Sequence, residues 1–401
     1  DEGVLQREVA EGPRHGQQQG AALVEDAVGA AVHDAAAVRR MPYRALGSTG
    51  MVVSALGFGA SALAGVFHEV EEEECIQVVH QTLKAGVNVI DSAPWYGHGK
   101  SETVLGLALK DVPRHAYYLN TKVGRYEPEV DAMFDFSAAR VTRSVSESLQ
   151  RLQLDYIDTI QVHDLEFAPS LDIIVSETLP ALDRLRSAGK VRQIGITGYA
   201  LGPLAEVLKR ATVKIDVVLS YSRMTLLDTS LARDLLPDIE TRQLGLINAA
   251  PTGMGLLTPQ GPPSWHPAGE AIRSAALRVR EMCAARGVSV ARLALKTSLA
   301  DARLPTTLIS YAKLAHMDEN LAAAREALTQ DETACLAELH ASGALSRDPQ
   351  MHWEGIEVAR YWEAVGKKFP IHLCRHNKQI DECPVEQHST HVIKWRIHSK
   401  T

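Results

Sequence analysis

VNVIDSAPWYGHGKSE, Val87 to Glu102, runs from a β-branched apolar segment ending in a carboxylate, through a loop rich in Gly, into a helical pattern. Two further runs end alike. YYLNTK (Tyr117 to Lys122) closes on an ammonium and YIDTIQVH (Tyr156 to His163) on an imidazole, each followed by loop chemistry and then a helical pattern. Polar groups at the carboxyl ends of otherwise apolar strands mark parallel strands whose ends open onto a site.

Outward from these runs the alternation continues. Strand patterns fall near 54–59, 87–91, 116–122, 156–163, 191–197, 215–221, 244–250 and 306–311, eight in all. Between them lie helical stretches such as Glu71 to Gly86, with an acidic start and a terminal Gly, and Ser137 to Gln153, with a Ser at its head. A third is Ile174 to Lys190. Eight βα units over this span predict an α/β fold, a (β/α)8 TIM barrel. YRALGSTGMVV, with turn chemistry at Gly47 to Gly50, predicts a β-hairpin ahead of the first barrel strand. A doubly wound sheet is the rival fold, with fewer units and a Gly-rich first turn; Gly57, Gly59 and Gly65 have the wrong spacing for that turn.

The organisation expected is a disordered N-terminal extension over residues 1–40, the barrel over 41–345, a C-terminal helical segment over 346–368 and a loosely ordered tail over 369–401. Residues 1–40 mix Gly, Gln, Ala, Glu and His with few large apolar groups, too few to offset the entropy of ordering. Their removal is expected to leave activity intact. The tail gathers His372, Cys374, His376, Cys383 and His388, but this spacing matches no closed four-ligand zinc site, and no metal is expected.

Composition narrows the class of function. In 401 residues with 45% hydrophobic content there is ample material for a core, and the net charge of -7 opposes a nucleic-acid surface. Five scattered cysteines suit a reducing compartment. No stretch approaches the ~18 apolar residues of a membrane span, and the amino end carries no signal pattern. A cytoplasmic protein without membrane or nucleic-acid partners is expected.

Asp91, Tyr96, Lys122 and His163 supply the chemistry. A phenol with pKa ~10 is a poor acid at neutral pH unless a neighbour stabilises phenolate. Lys122 can do so, Asp91 can keep Lys122 charged, and His163 can bond a substrate oxygen. Singly, each residue has a plain structural reading; three at strand ends with the fourth five residues into a loop point to carbonyl and alcohol redox chemistry.

The segments YRALGSTGMVVSALGFGA, AGVNVIDSAPWYGHGKSETVLG, LNTKVGR, YIDTIQVHD, GKVRQIGITGY and APTGMGLLT together resemble the aldo-keto reductase superfamily, from about Tyr43 to Leu345. LSYSRMTLLD, LLTPQGPPSWHPAGE and the His163–Asp164 pair resemble its L-galactose dehydrogenase branch. The resemblance implies that Tyr96 is the general acid/base, tuned by Lys122 and Asp91, and that His163 orients the substrate. It also implies a nicotinamide dinucleotide across the barrel mouth. Thr197 and Ser220 then fall at carboxamide positions, with Gly198 where many relatives carry Asn and Ala249 where many stack a Tyr. Pro251, Gly253, Gly255 and Leu256 fall at the pyrophosphate, and Glu319 and Asn320 at the adenosine. At Ser310, Tyr311 and His316, relatives that prefer NADP carry cations, so NAD is expected, with NADP left open by Lys313.

The substrate pocket is expected near Phe67, Trp95 and Tyr126, and the protein as a monomer or weak dimer. The activity implied is an aldose 1-dehydrogenase giving a lactone. A general aldehyde or ketone reductase, or a dinucleotide-binding regulatory subunit with little turnover, stands as the alternative.

Overall fold

The computed structural model describes residues 32–66, 69–345 and 351–366. The hairpin comes first, β1 (Tyr43–Ala45) pairing antiparallel with β2 (Val52–Ser54). There follow β3 (Leu56–Gly59), β4 (Val89–Asp91), β5 (Tyr118–Val123), β6 (Ile157–Val162), β7 (Val191–Gly198), β8 (Val217–Tyr221), β9 (Gly245–Ala249) and β10 (Thr306–Ser310). All eight are parallel and close into one barrel as β10 pairs with β3. The expected (β/α)8 barrel is therefore the observed one.

Leu46, Met51 and Val53 of the hairpin pack with Val89, Val217, Ile247 and Leu308 of the barrel strands, so the hairpin plugs one end. The fit leaves no room at Gly47, where a Cβ would lie 2.4 Å from the backbone of Leu244 and Gly245. With that end covered by the hairpin, the carboxyl ends of the strands are where the described barrel can meet a ligand.

Helices cover the barrel where the apolar spacing placed them. Glu72–Lys84 carries Glu72, Glu73 and Glu74 in its first turn, and Ser137 caps Ala138–Leu152 by accepting from the Arg140 amide. The segment expected to be helical after the barrel forms Ile356–Ala364, whose Val358 and Trp362 pack on Phe167 at the barrel mouth. Among the described residues no helix is long and apolar enough to cross a membrane. The His and Cys cluster between His372 and His388 lies outside the described residues.

The expected boundary at residue 40 is corrected. Residues Ala35–Arg40 form a helix capped by Asp34, and Val38 is buried with Tyr43 and Leu83. His33 is buried as well, its Nε2 2.9 Å from the Ala116 carbonyl and its Nδ1 against that of Leu83. Counting large apolar groups missed this, because one valine and a few polar contacts to the barrel suffice to order a single turn. His33→Ala is expected to lower stability by ~1–3 kcal/mol, the cost of stranding a buried polar partner. Urea unfolding followed by circular dichroism measures it; an unchanged midpoint would contradict the anchoring.

Candidate active site at the barrel mouth

Three of the four singled-out side chains come from neighbouring strand ends. Asp91 is the last residue of β4, Lys122 the last but one of β5, and His163 follows β6 directly. Tyr96 arrives from the loop after β4, where Gly97, His98 and Gly99 all take positive φ and turn the chain sharply.

Lys122 is almost wholly buried. Its Nζ forms a salt bridge to Asp91 Oδ1, donates to the Ser92 carbonyl at 2.7 Å and lies 3.4 Å from the Tyr96 hydroxyl. The other Asp91 oxygen accepts from Gln161 Nε2 at 2.7 Å, which fixes the carboxylate plane. The His163 ring stands perpendicular to Tyr96 with centroids 6.0 Å apart. The four groups therefore converge as the sequence predicts.

Their electrostatics follow from this packing. Burial, the largest single influence, pulls Lys122 down, yet Asp91 and Tyr96 together outweigh it and the net shift is upward, so the ammonium stays charged. Burial pushes the Tyr96 phenol up, and the Lys122 charge pulls it only part of the way back, so the net shift is upward and Lys122 limits it. Because Tyr96 is only half-buried, solvent on its open face relieves part of that upward push. Burial lowers His163 to about 3 against the raising influence of Asp164, so the imidazole is neutral at neutral pH. Its Nδ1 is buried with no partner among the described residues.

A second layer surrounds the four. Arg125 follows β5 shortly, lies over the Trp95 ring at 4.1 Å and bonds Asp164 at 2.8 Å. Beyond it a narrow recess is lined by Glu166, Phe167, Tyr199, Tyr221, Trp353 and Glu357. Trp353 stacks on Tyr199 at 4.4 Å, and Arg223 reaches Glu354 at 2.6 Å, so two contacts tie the C-terminal segment to this mouth.

The residues assigned to a dinucleotide fall into three groups. Thr197, Gly198 and Ser220 sit together at the ends of β7 and β8, where Gly198 pairs with Ser220 in register. The Ser220 Oγ is buried without a partner among the described residues, as a ligand-facing hydroxyl would be in a structure without ligands. Ala249 ends β9 beside Tyr221, its register partner.

Pro251 to Leu256 form a tight turn with positive φ at Gly253, Met254 and Gly255. The Gly253 amide is committed to the Ala250 carbonyl at 2.9 Å and the Leu256 amide to that of Gly253 at 3.2 Å, so neither of these two amides is free for a phosphate. The Ser310 hydroxyl oxygen accepts from Ser61 at 2.9 Å and from the Ala62 amide at 2.8 Å, which makes it a tie between β10 and the turn Ala60–Ala64. His316 and Glu319 are exposed and Asn320 half-buried on the helix Leu314–Arg325, open to a ligand lying along it. An orphaned hydroxyl at a strand end and an open helix face fit an extended dinucleotide.

Of the substrate-pocket residues, Phe67 lies outside the described residues and Trp95 stands half-buried at the mouth. Tyr126 is corrected. It is buried, its hydroxyl accepts from the Gly124 amide at 2.8 Å and its ring lies under Arg140 at 3.6 Å, so it props the loop. Gln161 was missed, although it stands two residues before His163 and so shares its strand face. Arg125 and Glu166 were missed as well, and only three-dimensional packing reveals them.

Comparison with known proteins agrees with this architecture. The chain is 45% identical over 290 residues to L-galactose dehydrogenase from Arabidopsis thaliana, spanning 72% of this chain and 89% of that protein. It is 30% identical over 238 residues to D-threo-aldose 1-dehydrogenase from a Pseudomonas species, spanning 54% of this chain and 71% of the relative. An aldo-keto reductase from Bacillus halodurans, solved in its holo form, superposes with a TM-score of 0.62 at 28% identity, covering 75% of this chain and 96% of its own. With the Aldo/keto reductase family pattern matching residues 55–341, on the barrel that carries these four side chains, the chain belongs to that family.

Proposed function

We propose that this enzyme, an NAD(P)-dependent oxidoreductase by its family, is an aldose 1-dehydrogenase of the L-galactose dehydrogenase kind. The similarity to L-galactose dehydrogenase over 89% of that protein supports the sugar class. For the chemistry, the carrying observation is the approach of buried Lys122 to the Tyr96 hydroxyl at 3.4 Å, with Asp91 behind it.

When bound, the nicotinamide supplies the hydride acceptor. Tyr96, as phenolate stabilised by Lys122, takes the proton of the anomeric hydroxyl while the anomeric carbon gives up its hydride, and the C–O single bond becomes the lactone carbonyl. The proton passes from Tyr96 to solvent on its half-exposed side. Neutral His163 donates one hydrogen bond to the same oxygen, which fixes the face presented to the ring. Trp95, under the Arg125 guanidinium, offers an aromatic wall for the apolar side of the sugar.

NAD is the proposed coenzyme. Tyr311 is buried against Phe58 and Ser310 is tied to the turn after β3, so neither of these positions offers a cation to a 2′-phosphate. A lower KM for NAD than for NADP is expected, and comparable use of NADP would overturn the choice.

The test follows absorbance of reduced coenzyme as purified protein meets a panel of L- and D-aldoses with NAD or NADP, then aldehydes with the reduced forms. Oxidation of L-galactose or a stereochemical neighbour supports the reading. Activity on aldehydes alone would make the protein a general carbonyl reductase, and bound dinucleotide without turnover would make it a regulatory subunit.

A further inference from the structure

We propose that Glu166 holds the carboxamide of the nicotinamide ring, its carboxyl group filling the place of the side chain that Gly198 lacks. This rests on the reading that the chain binds a nicotinamide dinucleotide.

Gly198 does not take a positive φ, so its backbone would accept any residue. Space is what excludes a side chain there. A Cβ at Gly198 would lie 2.4 Å from Glu166 Oε2, closer than real Cβ contacts come, and 3.1 Å from the carboxyl carbon, so a side chain there would require the carboxyl to move. Gly198 and Glu166 are therefore complementary, the second occupying the volume the first leaves.

The two carboxyl oxygens differ. Oε1 accepts from the Tyr199 amide at 2.7 Å and the Ala200 amide at 3.3 Å. Oε2 is buried and has no partner among the described residues. A buried polar atom left unpaired is costly and calls for a partner. Ser220 Oγ, on the strand residue paired with Gly198, is orphaned in the same way.

Burial, and after it the charge of Asp164, pushes Glu166 well above the usual carboxylate range and so favours the protonated acid. With Oε1 accepting two amides, the proton belongs on Oε2. The site then offers one hydroxyl donor from Glu166 and one acceptor from Ser220, both neutral. A primary carboxamide is their complement, its oxygen accepting from Oε2 and its NH2 donating to Ser220 Oγ.

Position agrees with this chemistry. The ring carbon that exchanges hydride must face Tyr96 and His163, and the carboxamide sits on the adjacent ring carbon. Partners near β6 suit it, and β7, which adjoins β6 on the side away from Lys122, is followed by β8 in the barrel.

Calorimetric titration of NAD and of ADP-ribose, which lacks the nicotinamide, into the full chain tests the assignment. Glu166→Ala is expected to weaken NAD about three- to tenfold, one hydrogen bond's worth, and to leave ADP-ribose unchanged. Glu166→Gln should keep NAD affinity, because its NH2 donates from the Oε2 position. Gly198→Asn alone should weaken NAD by colliding with the carboxyl, while Gly198→Asn combined with Glu166→Ala should recover it.

Equal NAD binding by wild type and Glu166→Ala would overturn the proposal. So would an equal loss for NAD and ADP-ribose, which marks a structural role, or a rise in sugar KM at constant NAD affinity, which assigns the carboxyl to the substrate. Wild-type protein that binds ADP-ribose and NAD not at all would instead remove the functional reading on which the proposal stands.

Discussion

Tyr96→Phe is expected to lower turnover with an aldose by ~10²–10⁴-fold, the usual contribution of a positioned acid or base, while coenzyme affinity stays within about twofold of wild type. The hydroxyl is the only atom removed. Lys122 keeps its salt bridge to Asp91 and its bond to the Ser92 carbonyl, so the barrel mouth has no reason to rearrange. The ring stays, and with it the edge contact to His163. Loss should fall on kcat with KM little changed, because the phenol acts on the proton in flight more than on ground-state binding. Single-turnover kinetics with bound coenzyme make the measurement cleanly. Turnover within tenfold of wild type would remove Tyr96 from its role and send the search to His163.

How much of this site the sequence made legible depends on the range of the interaction. Asp91, Lys122 and His163 could be read because each stands at the end of a buried, β-branched run that loop chemistry follows, a signal local in sequence. The eight strands and the sealing hairpin were legible for the same reason. The boundary at residue 40 failed because His33 and Val38 are held by Leu83, Gly86 and Ala116, contacts across the fold that no window of sequence contains.

Tyr126 failed differently. An aromatic in a loop after a strand end reads alike whether it lines a pocket or props the loop, and the Gly124 amide decides for the second. Ser310 and Gly253 carry polar groups in the expected places, but the fold has already paired them. Gly198 was legible as a departure from its relatives, and its reason was not. The answer lies in Glu166, 32 positions earlier, whose carboxyl reaches across from the preceding connection.

Lys122→Met is expected to separate two roles of one ammonium. In the fold, the change strands the Asp91 carboxylate, which keeps Gln161 at 2.7 Å but loses its counter-charge in a nearly sealed site. Breaking a buried pair from one side costs about 3–5 kcal/mol. Asp91→Asn in the same chain should recover much of that, since no buried charge then remains. The pair holds the Lys122 ammonium above its ordinary pKa, so its contribution is complete below that ordinary value and fades only as pH rises through the raised one. Denaturant melts near neutral pH therefore compare wild type with its pair fully formed. In the chemistry, no such rescue is expected. Lys122 is the group that pulls the Tyr96 phenol down against burial, and without it the phenol rises. Sugar oxidation needs phenolate, so its rate climbs with pH, and in the variant that climb should move to higher pH with neutral-pH turnover down ~10²-fold or more. The double variant should melt close to wild type and still show the displaced profile. A double variant that regained both stability and the wild-type profile would mean that Lys122 only supports the fold, and that Tyr96 is tuned by something else.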